Sequence, residues 1–165
     1  MHATPDPGGR PGHDAAARAA AGKALSEALS WLLPFHYFYE KSGLSLPDFR
    51  FLNGEEVPYP YRSLLVHTND MTPTLAAFHH SRLYLEVHEH EANEAFLMRL
   101  VTLHAASSDI PVEYGAIAIQ LGGLPEAVAA EVVAGQKPLG ALLGEHGVEH
   151  RGAPVAYFSV PADAL

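Results

Sequence analysis

The sequence contains no cysteine, which excludes disulfide bonds, thiolate nucleophiles and cysteine-ligated metal sites. Lys and Arg are also few: there are ten, against nineteen Asp and Glu, which gives a formal net charge of −9. Because a nucleic-acid-binding surface needs many cations to displace the counterions of the phosphates, we expect no nucleic-acid partner. A protein with so few cations that binds an acidic small molecule has to concentrate them locally, so an Arg in apolar surroundings is a candidate binding residue.

Long hydrophobic runs are absent too. No apolar run approaches the roughly 18–20 residues of a membrane-spanning helix, and the first residues lack the charged region and apolar core of a secretory signal. The sequence therefore predicts a cytoplasmic protein with no membrane partner, and it leaves the oligomeric state open. Its 165 residues, 48% of them hydrophobic, suffice for one domain with a buried core.

Composition divides the chain into a tail and a domain. Residues 1–14 are rich in Pro and Gly, which predicts a disordered tail, and residues 15–165 are predicted to form a single domain. Residues 15–33 are rich in Ala and Leu and predict a helix that Pro34 ends. Residues 34–62 are rich in aromatic side chains and Pro. We interpret them as an ordered segment that wraps over the core, with packing favoured over ligand contact.

Hydrophobic periodicity predicts an α+β fold with a single antiparallel β-sheet and flanking helices. The links between the alternating segments are short, which favours antiparallel pairing. The predicted strands are 63–67, 82–90, 94–104, 111–121 and 155–160, and the predicted helices are 73–80, 125–134 and 138–144. Thr72 and Pro73 are interpreted as the N-cap and the first residue of their helix.

Eleven histidines raise the question of a metal site. The polar face of strand 82–90 is predicted to carry Tyr84, Glu86, His88 and His90. His88 and His90 have a spacing that can chelate a metal, but their face is interpreted as solvated. His146 and His150 are four residues apart, but Gly147 interrupts the helix that would align them. A His-rich surface is therefore favoured, and no metal site is predicted.

Arg99 is the strongest candidate for chemistry. In strand 94–104 it shares a face with Leu97, Val101 and Leu103, where a lone charge is costly unless it is paired. A guanidinium binds a carboxylate in bidentate fashion and keeps its charge when it is desolvated. Two interpretations stay open: an internal salt bridge to Glu113 on the neighbouring strand, which the spacing alone favours, or a ligand carboxylate.

Four short segments within residues 63–144 carry a resemblance to a known family. They are Leu64-Leu65-Val66-His67 with Asp70-Met71-Thr72, then 96–103, 111–117 and Lys137-Pro138-Leu139-Gly140. In this order they resemble the chorismate lyase family, over roughly half of the chain. Members of that family remove pyruvate from chorismate to leave 4-hydroxybenzoate. The resemblance therefore implies a chorismate lyase-like α+β fold, a small-molecule carboxylate ligand and no cofactor.

The resemblance also implies roles for individual residues. Met71 and Thr72 match the Met-Thr pair that opens a helix in the family. Arg99 matches the Arg that holds the carboxylate of substrate and product, and Leu139 matches the Leu whose backbone lies against the ligand. The expected substrate-binding residues are Met71, Thr72, Arg99 and Leu139. Arg99 and Glu113 are the expected catalytic residues, since Glu113 is the only acidic residue in the matched strands.

The sequence departs from the family pattern at two places. Gly115 matches the family's Gly, but the Arg that usually follows it is replaced by Ala116. Family members also finish with a β-hairpin that carries an acid–base Glu, whereas this sequence ends at Leu165 with no Glu in its last dozen residues. A truncated product and a chain that has lost the hairpin are the two interpretations of that difference.

Two functions from different classes follow from the sequence. The first is a chorismate pyruvate-lyase. The alternative is a non-catalytic small aromatic carboxylate-binding domain of the same fold, like the effector domains of GntR-type regulators. No DNA-binding domain precedes this one, which argues against a regulator but not against a free-standing binding protein. A remnant without a ligand is a third interpretation.

Overall fold

The computed structural model describes residues 30–161. The chain divides into two compact units, Met1–Leu33 and Pro34–Leu165. The helices and strands of the described residues belong to the second unit, except that the first helix begins at Leu33. The predicted tail 1–14 and the predicted helix 15–33, save for its last four residues, lie outside the described residues.

The described residues form five α-helices and five β-strands. The helices are α1 (Leu33–Lys41), α2 (Tyr61–Leu65), α3 (Met71–Phe78), α4 (Glu126–Ala134) and α5 (Leu139–Glu145). The strands are β1 (Arg50–Leu52), β2 (Leu83–Ala92), β3 (Phe96–Ala105), β4 (Ile110–Gln120) and β5 (Tyr157–Ser159). Short 3₁₀ turns lie at Gly54–Glu56 and Leu121–Gly123. In this part of the chain, no helix is long and apolar enough to cross a membrane.

The strands form two antiparallel sheets. Strands β2, β3 and β4 make a three-stranded sheet in that order, and β1 pairs with β5 in a separate two-stranded sheet. The predicted α+β class is confirmed, but the prediction of a single sheet is imprecise. The strand predicted at 155–160 is found as β5, and its partner is β1, with Phe51 opposite Phe158. The ring centroids of these two residues are 6.2 Å apart, so aromatic packing accompanies the pairing.

The prediction of a strand at 63–67 is wrong, because these residues overlap α2. Ser63 N donates to Pro60 O at 3.0 Å, and Val66 N donates to Arg62 O at 3.0 Å. A short apolar run does not distinguish a strand from a turn of helix by periodicity. The Pro60 that precedes the run occupies the N-cap position of α2.

The predicted start of the helix at Thr72 and Pro73 is also wrong by two residues. The N-cap position is held by Asp70, and α3 begins at Met71. Pro73 therefore lies inside the first turn, where a missing N–H removes no intrahelical hydrogen bond. The shift places both Met71 and Thr72 within the first turn of α3 rather than in the loop before it.

A β-bulge in β2 corrects the predicted faces of that strand. The register shifts between Val87 and Glu89, so that His88 is the extra residue and His90 pairs with Arg99. Residues directly opposite each other share a face, so His90 lies on the face of Arg99 and not with His88 as predicted. Simple alternation cannot reveal a bulge, because the inserted residue changes the face of every residue after it.

The hydrophobic core lies on the face of the large sheet that carries Arg99. Leu97 of β3 packs there with Val128 and Val132 of α4 and with Leu142 of α5. Both α4 and α5 therefore cover this face. The C-terminal end of α4 lies over Arg99, whose Nη1 donates to Val132 O at 3.3 Å.

The aromatic segment predicted as a wrap contributes α1 to the opposite face of the sheet. The ring centroids of Phe35 and Tyr114 are 5.8 Å apart, and Lys41 Nζ lies 3.1 Å from a carboxylate oxygen of Glu89. Phe38 is only 1% exposed, so this helix contributes to packing. Both faces of β3 are consequently covered, with α4 and α5 on the face that carries Arg99 and α1 on the other.

Replacing Leu142 by Ala is expected to destabilise the protein by about 2–5 kcal/mol, because a fully buried leucine leaves a cavity when it is truncated. Urea denaturation followed by circular dichroism measures the change. Leu44→Ala is the matched control, since Leu44 is 59% exposed and its truncation should cost less than ~0.5 kcal/mol. Equal losses for the two variants would contradict the placement of Leu142 in the core.

Candidate functional site

A cavity of about 310 Å³ lies between the Arg99 face of the large sheet and the N-terminal ends of α3 and α5. Apolar side chains of β2, β3 and β4 form most of its sheet side. All five residues singled out from the sequence line this one cavity: Met71, Thr72, Arg99, Glu113 and Leu139. Residues that span 69 positions of sequence are therefore brought together in the fold.

The register of β3 and β4 determines the relative positions of Arg99 and Glu113. Arg99 lies opposite Ile117, and Leu103 lies opposite Glu113. Arg99 and Leu103 are four residues apart on β3, so Arg99 and Glu113 share a face but are offset by about 13 Å along the strands. Each side chain therefore presents a separate polar group to the cavity.

Arg99 is a buried cation that has no counter-charge among the described residues. Its side chain is 2% exposed, and its Nη1 donates to Val132 O at 3.3 Å. Within residues 30–161 its Nε has no hydrogen-bond partner, and no carboxylate lies within 4.0 Å of its guanidinium. The internal salt bridge to Glu113 is thus absent. Burial lowers the pKa of Arg99, but a guanidinium remains charged in proteins.

Glu113 is a half-buried residue whose carboxyl group has one buried, unsatisfied oxygen. Its Oε2 has no hydrogen-bond partner among the described residues. The other oxygen lies over Gly115, where a Cβ atom would stand 3.3 Å from Oε1. Loss of water around the carboxyl group raises the pKa of Glu113, because burial disfavours the charged form. A carboxylic acid that keeps its proton in an apolar cavity can act as a general acid.

The helix side of the cavity depends on a close contact between α3 and α5. A Cβ atom at Gly140 would lie 3.0 Å from Thr72 Oγ1, so the absence of a side chain at position 140 lets the two helices meet. Asp70 precedes α3 but makes no hydrogen bond to its N-terminal N–H groups. Its Oδ2 instead accepts from His150 Nε2 at 2.8 Å, and both residues line the cavity.

Three polar residues at Arg99 or at the cavity were not assigned from the sequence. His90 lies beside Arg99 in a second cavity of about 270 Å³, but the bulge at His88 hides this from alternation. Asp70 was expected in a turn from which side chains often reach a pocket, but it was given no role, and it lines the cavity. His150 meets Asp70 across 80 residues of sequence, and no local pattern indicates such a contact.

Comparison with known proteins does not indicate what the cavity binds. No protein-family model, no curated protein and no solved structure matches this chain. Within residues 30–161, no three His, Asp or Glu side chains are placed to hold a metal ion together. The chemical character of the cavity is therefore the basis for a function: a buried cation at one end, an unsatisfied carboxyl group at the other, and apolar walls between them.

Proposed function

We propose that the cavity binds a small ring carboxylate and that the protein is a chorismate pyruvate-lyase-like enzyme, which forms 4-hydroxybenzoate. The observation that supports this most strongly is the buried Arg99, which has no carboxylate beside it in the described chain. An uncompensated buried charge is strongly unfavourable. A ligand carboxylate that accepts from the guanidinium would remove this cost, so the cavity favours an anion with an apolar body.

The remaining walls suit a six-membered ring. Val101 and Leu139 offer apolar surface between the two polar ends, and a volume of about 310 Å³ lies within the range of small-ligand sites. The first turn of α3 adds N–H groups that have no acceptor within the helix. In this proposal Met71 and Thr72 orient the ligand, and Arg99 holds its ring carboxylate.

Glu113 is positioned for the proton transfers that the reaction needs. The ether C–O bond of chorismate breaks, enolpyruvate leaves and tautomerises to pyruvate, and the ring loses one proton as it becomes aromatic. A protonated Glu113 would donate to the departing oxygen, and its carboxylate would then accept the ring proton. One carboxyl group therefore balances both transfers, and burial raises its pKa, which favours the protonated form that donates.

A chorismate lyase-like fold is part of this proposal. Its support is the order of elements around the cavity: a Met-Thr helix start, three antiparallel strands with Arg99 on the central one, and a Pro-Leu-Gly start of α5. In this arrangement the segments that carry the sequence resemblance all contribute to one cavity.

A second candidate function is favoured by Ala116. This residue lines the cavity at the position where the family usually carries a second Arg. Chorismate has two carboxylates, whereas Arg99 supplies the only guanidinium among the described residues that line the cavity. A non-catalytic domain that binds an aromatic monocarboxylate, such as 4-hydroxybenzoate, would need only one.

Incubation of the purified chain with chorismate distinguishes these functions. The lyase is expected to release pyruvate and 4-hydroxybenzoate in equal amounts and faster than chorismate decomposes alone, as measured by chromatography. Calorimetric titration with 4-hydroxybenzoate measures binding in parallel. Binding without pyruvate release would establish the second function instead, and the absence of both would overturn the two proposals together.

A further inference from the structure

The segment that follows α5 passes the cavity and is held by few contacts. Val148 N donates to Leu143 O at 2.9 Å, which ties the start of this segment to α5. Residues 149–156, which precede β5, make no backbone–backbone hydrogen bond within the described part of the chain. A space of about 590 Å³ separates residues 150–153 from residues 68–70. The segment is therefore loosely packed where it lies against the loop before α3.

One side chain bridges this space. His150 Nε2 donates to Asp70 Oδ2 at 2.8 Å, and His150 Nδ1 donates to Val148 O at 2.8 Å. Because both ring nitrogens face acceptors, the ring satisfies both only when both nitrogens carry protons, as in the imidazolium. The side chains of His150 and Asp70 are 29% and 35% exposed, so the ion pair lies at the border between the cavity and solvent.

We propose that residues 149–156 form a lid over the Arg99 cavity, and that the His150–Asp70 ion pair is a latch that must break before a ligand enters. The proposal rests on the proposed function to the extent that a ligand uses this cavity. Gly152 lies within the lid and suits the movement, because glycine has the widest range of backbone conformations. Val148 stays packed against the core and marks the fixed end of the lid.

The latch depends on pH in a defined direction. The Val148 carbonyl and the Asp70 carboxylate raise the pKa of His150 above its usual value. A raised pKa in the folded protein means that the latch is complete below about pH 6.5, the ordinary value for His, and is lost as the pH rises through the folded value. The lid should therefore open more often in mildly alkaline solution.

Asp70 is the charged group that contacts His150. Among residues 30–161 it supplies the only carboxylate within 4.0 Å of the imidazole. The remaining charged or titratable groups of the lid and the cavity are Glu149, Arg151, Arg99 and Glu113. Glu149 and Arg151 flank His150 in the sequence and carry opposite charges.

Arg151 provides a direct test, because it lies exposed within the lid next to the latch. The rate of tryptic cleavage after Arg151 reports the open population when cleavage is slow relative to closing. Rates are measured by mass spectrometry and divided by those of a synthetic peptide of residues 146–157, which removes the pH dependence of trypsin. Cleavage of the wild type is expected to rise about two- to five-fold from pH 6 to pH 8, the range of an exposed ion pair.

Variants separate the latch from other effects. His150→Ala and Asp70→Ala should each be cleaved at pH 6 as fast as the wild type at pH 8, and the double variant should be no faster than either. His146→Ala is the matched control, since His146 Nε2 pairs with Glu131 Oε1 at 2.7 Å outside the cavity. It should keep the wild-type pH dependence. Wild-type cleavage rates in both latch variants at both pH values would overturn the latch.

A second measurement separates the lid from the proposed function. The association rate constant of 4-hydroxybenzoate, measured by stopped-flow fluorescence, should rise in His150→Ala at pH 6 by the same factor as the cleavage rate. If cleavage follows the expected pattern but 4-hydroxybenzoate does not bind, the proposed function fails and the latch stands. If the ligand binds with equal rate constants in wild type and variant, the lid does not control access to the cavity and this inference fails.

Discussion

Replacing Arg99 by Met is expected to abolish carboxylate binding without destabilising the protein. Arg99 is 2% exposed, and its Nε lacks a hydrogen-bond partner in the part of the chain that the structure describes. Losing one partner of a buried, hydrogen-bonded charge pair costs about 2–5 kcal/mol, or roughly 30-fold to 5,000-fold in the dissociation constant of 4-hydroxybenzoate. An apolar side chain of similar volume at a buried charged position is often neutral or stabilising by about 1–4 kcal/mol. Calorimetric titration and urea denaturation measure the two effects.

Weaker ligand binding together with unchanged or higher stability distinguishes a binding role of Arg99 from a structural one. Arg99→Lys keeps the charge but loses the planar fork, so its affinity should fall between those of the wild type and Arg99→Met. Arg82→Met is the matched control, because Arg82 lies just before β2 and does not line the cavity. It should change neither quantity. An Arg99→Met protein that binds 4-hydroxybenzoate normally but unfolds more easily would show that this side chain serves the fold alone.

Replacing Glu113 by Gln is expected to lower the rate of pyruvate release by about 10²–10⁴, the usual contribution of a general acid–base group. Gln has the same shape but cannot transfer a proton, so 4-hydroxybenzoate should bind with nearly unchanged affinity. The measurement is pyruvate release at saturating chorismate beside calorimetric titration with 4-hydroxybenzoate. Glu94→Gln is the control, since Glu94 is exposed in the turn between β2 and β3. Full activity in Glu113→Gln would remove Glu113 from the mechanism.

The same variant has a readout that needs no ligand. Burial raises the pKa of Glu113 in the folded protein. The wild type therefore binds this proton more tightly when folded, and its free energy of unfolding falls as the pH rises from about 4.5 through the folded value. Glu113→Gln lacks this loss, so it should become more stable than the wild type as the pH increases. Parallel stability–pH curves for the two proteins would contradict the burial of the carboxyl group.

Alternation of apolar residues predicted the three central strands closely. Strand β3 was expected at 94–104 and is found at Phe96–Ala105, and β4 was expected at 111–121 and is found at Ile110–Gln120. Arg99 could be singled out because its face of β3 is otherwise apolar. The cavity-lining positions Met71, Thr72 and Leu139 were expected from a resemblance, since no physical pattern within those segments distinguishes them from ordinary helix starts.

The features that the sequence did not reveal depend on contacts between distant residues. The bulge inserts His88 into β2, so His90 lies on the opposite face from the one that simple alternation predicts. The contact of Asp70 with His150 and the pairing of β1 with β5 join residues that are 80 or more positions apart. Whether Arg99 pairs with Glu113 was open for the same reason, because the strand register and not the residue types decides it.

The two-stranded sheet has a consequence for the order in which the molecule assembles. Arg50 pairs with Ser159 and Leu52 with Tyr157, so this small sheet joins residues 105–109 positions apart. The β2–β3 and β3–β4 hairpins, in contrast, close short loops, and short loops lose less chain entropy. Because local contacts form faster than distant ones, the strands that carry Arg99 and Glu113 should pair early. The β1–β5 sheet should therefore form last, after the strands that make the sheet side of the cavity have paired.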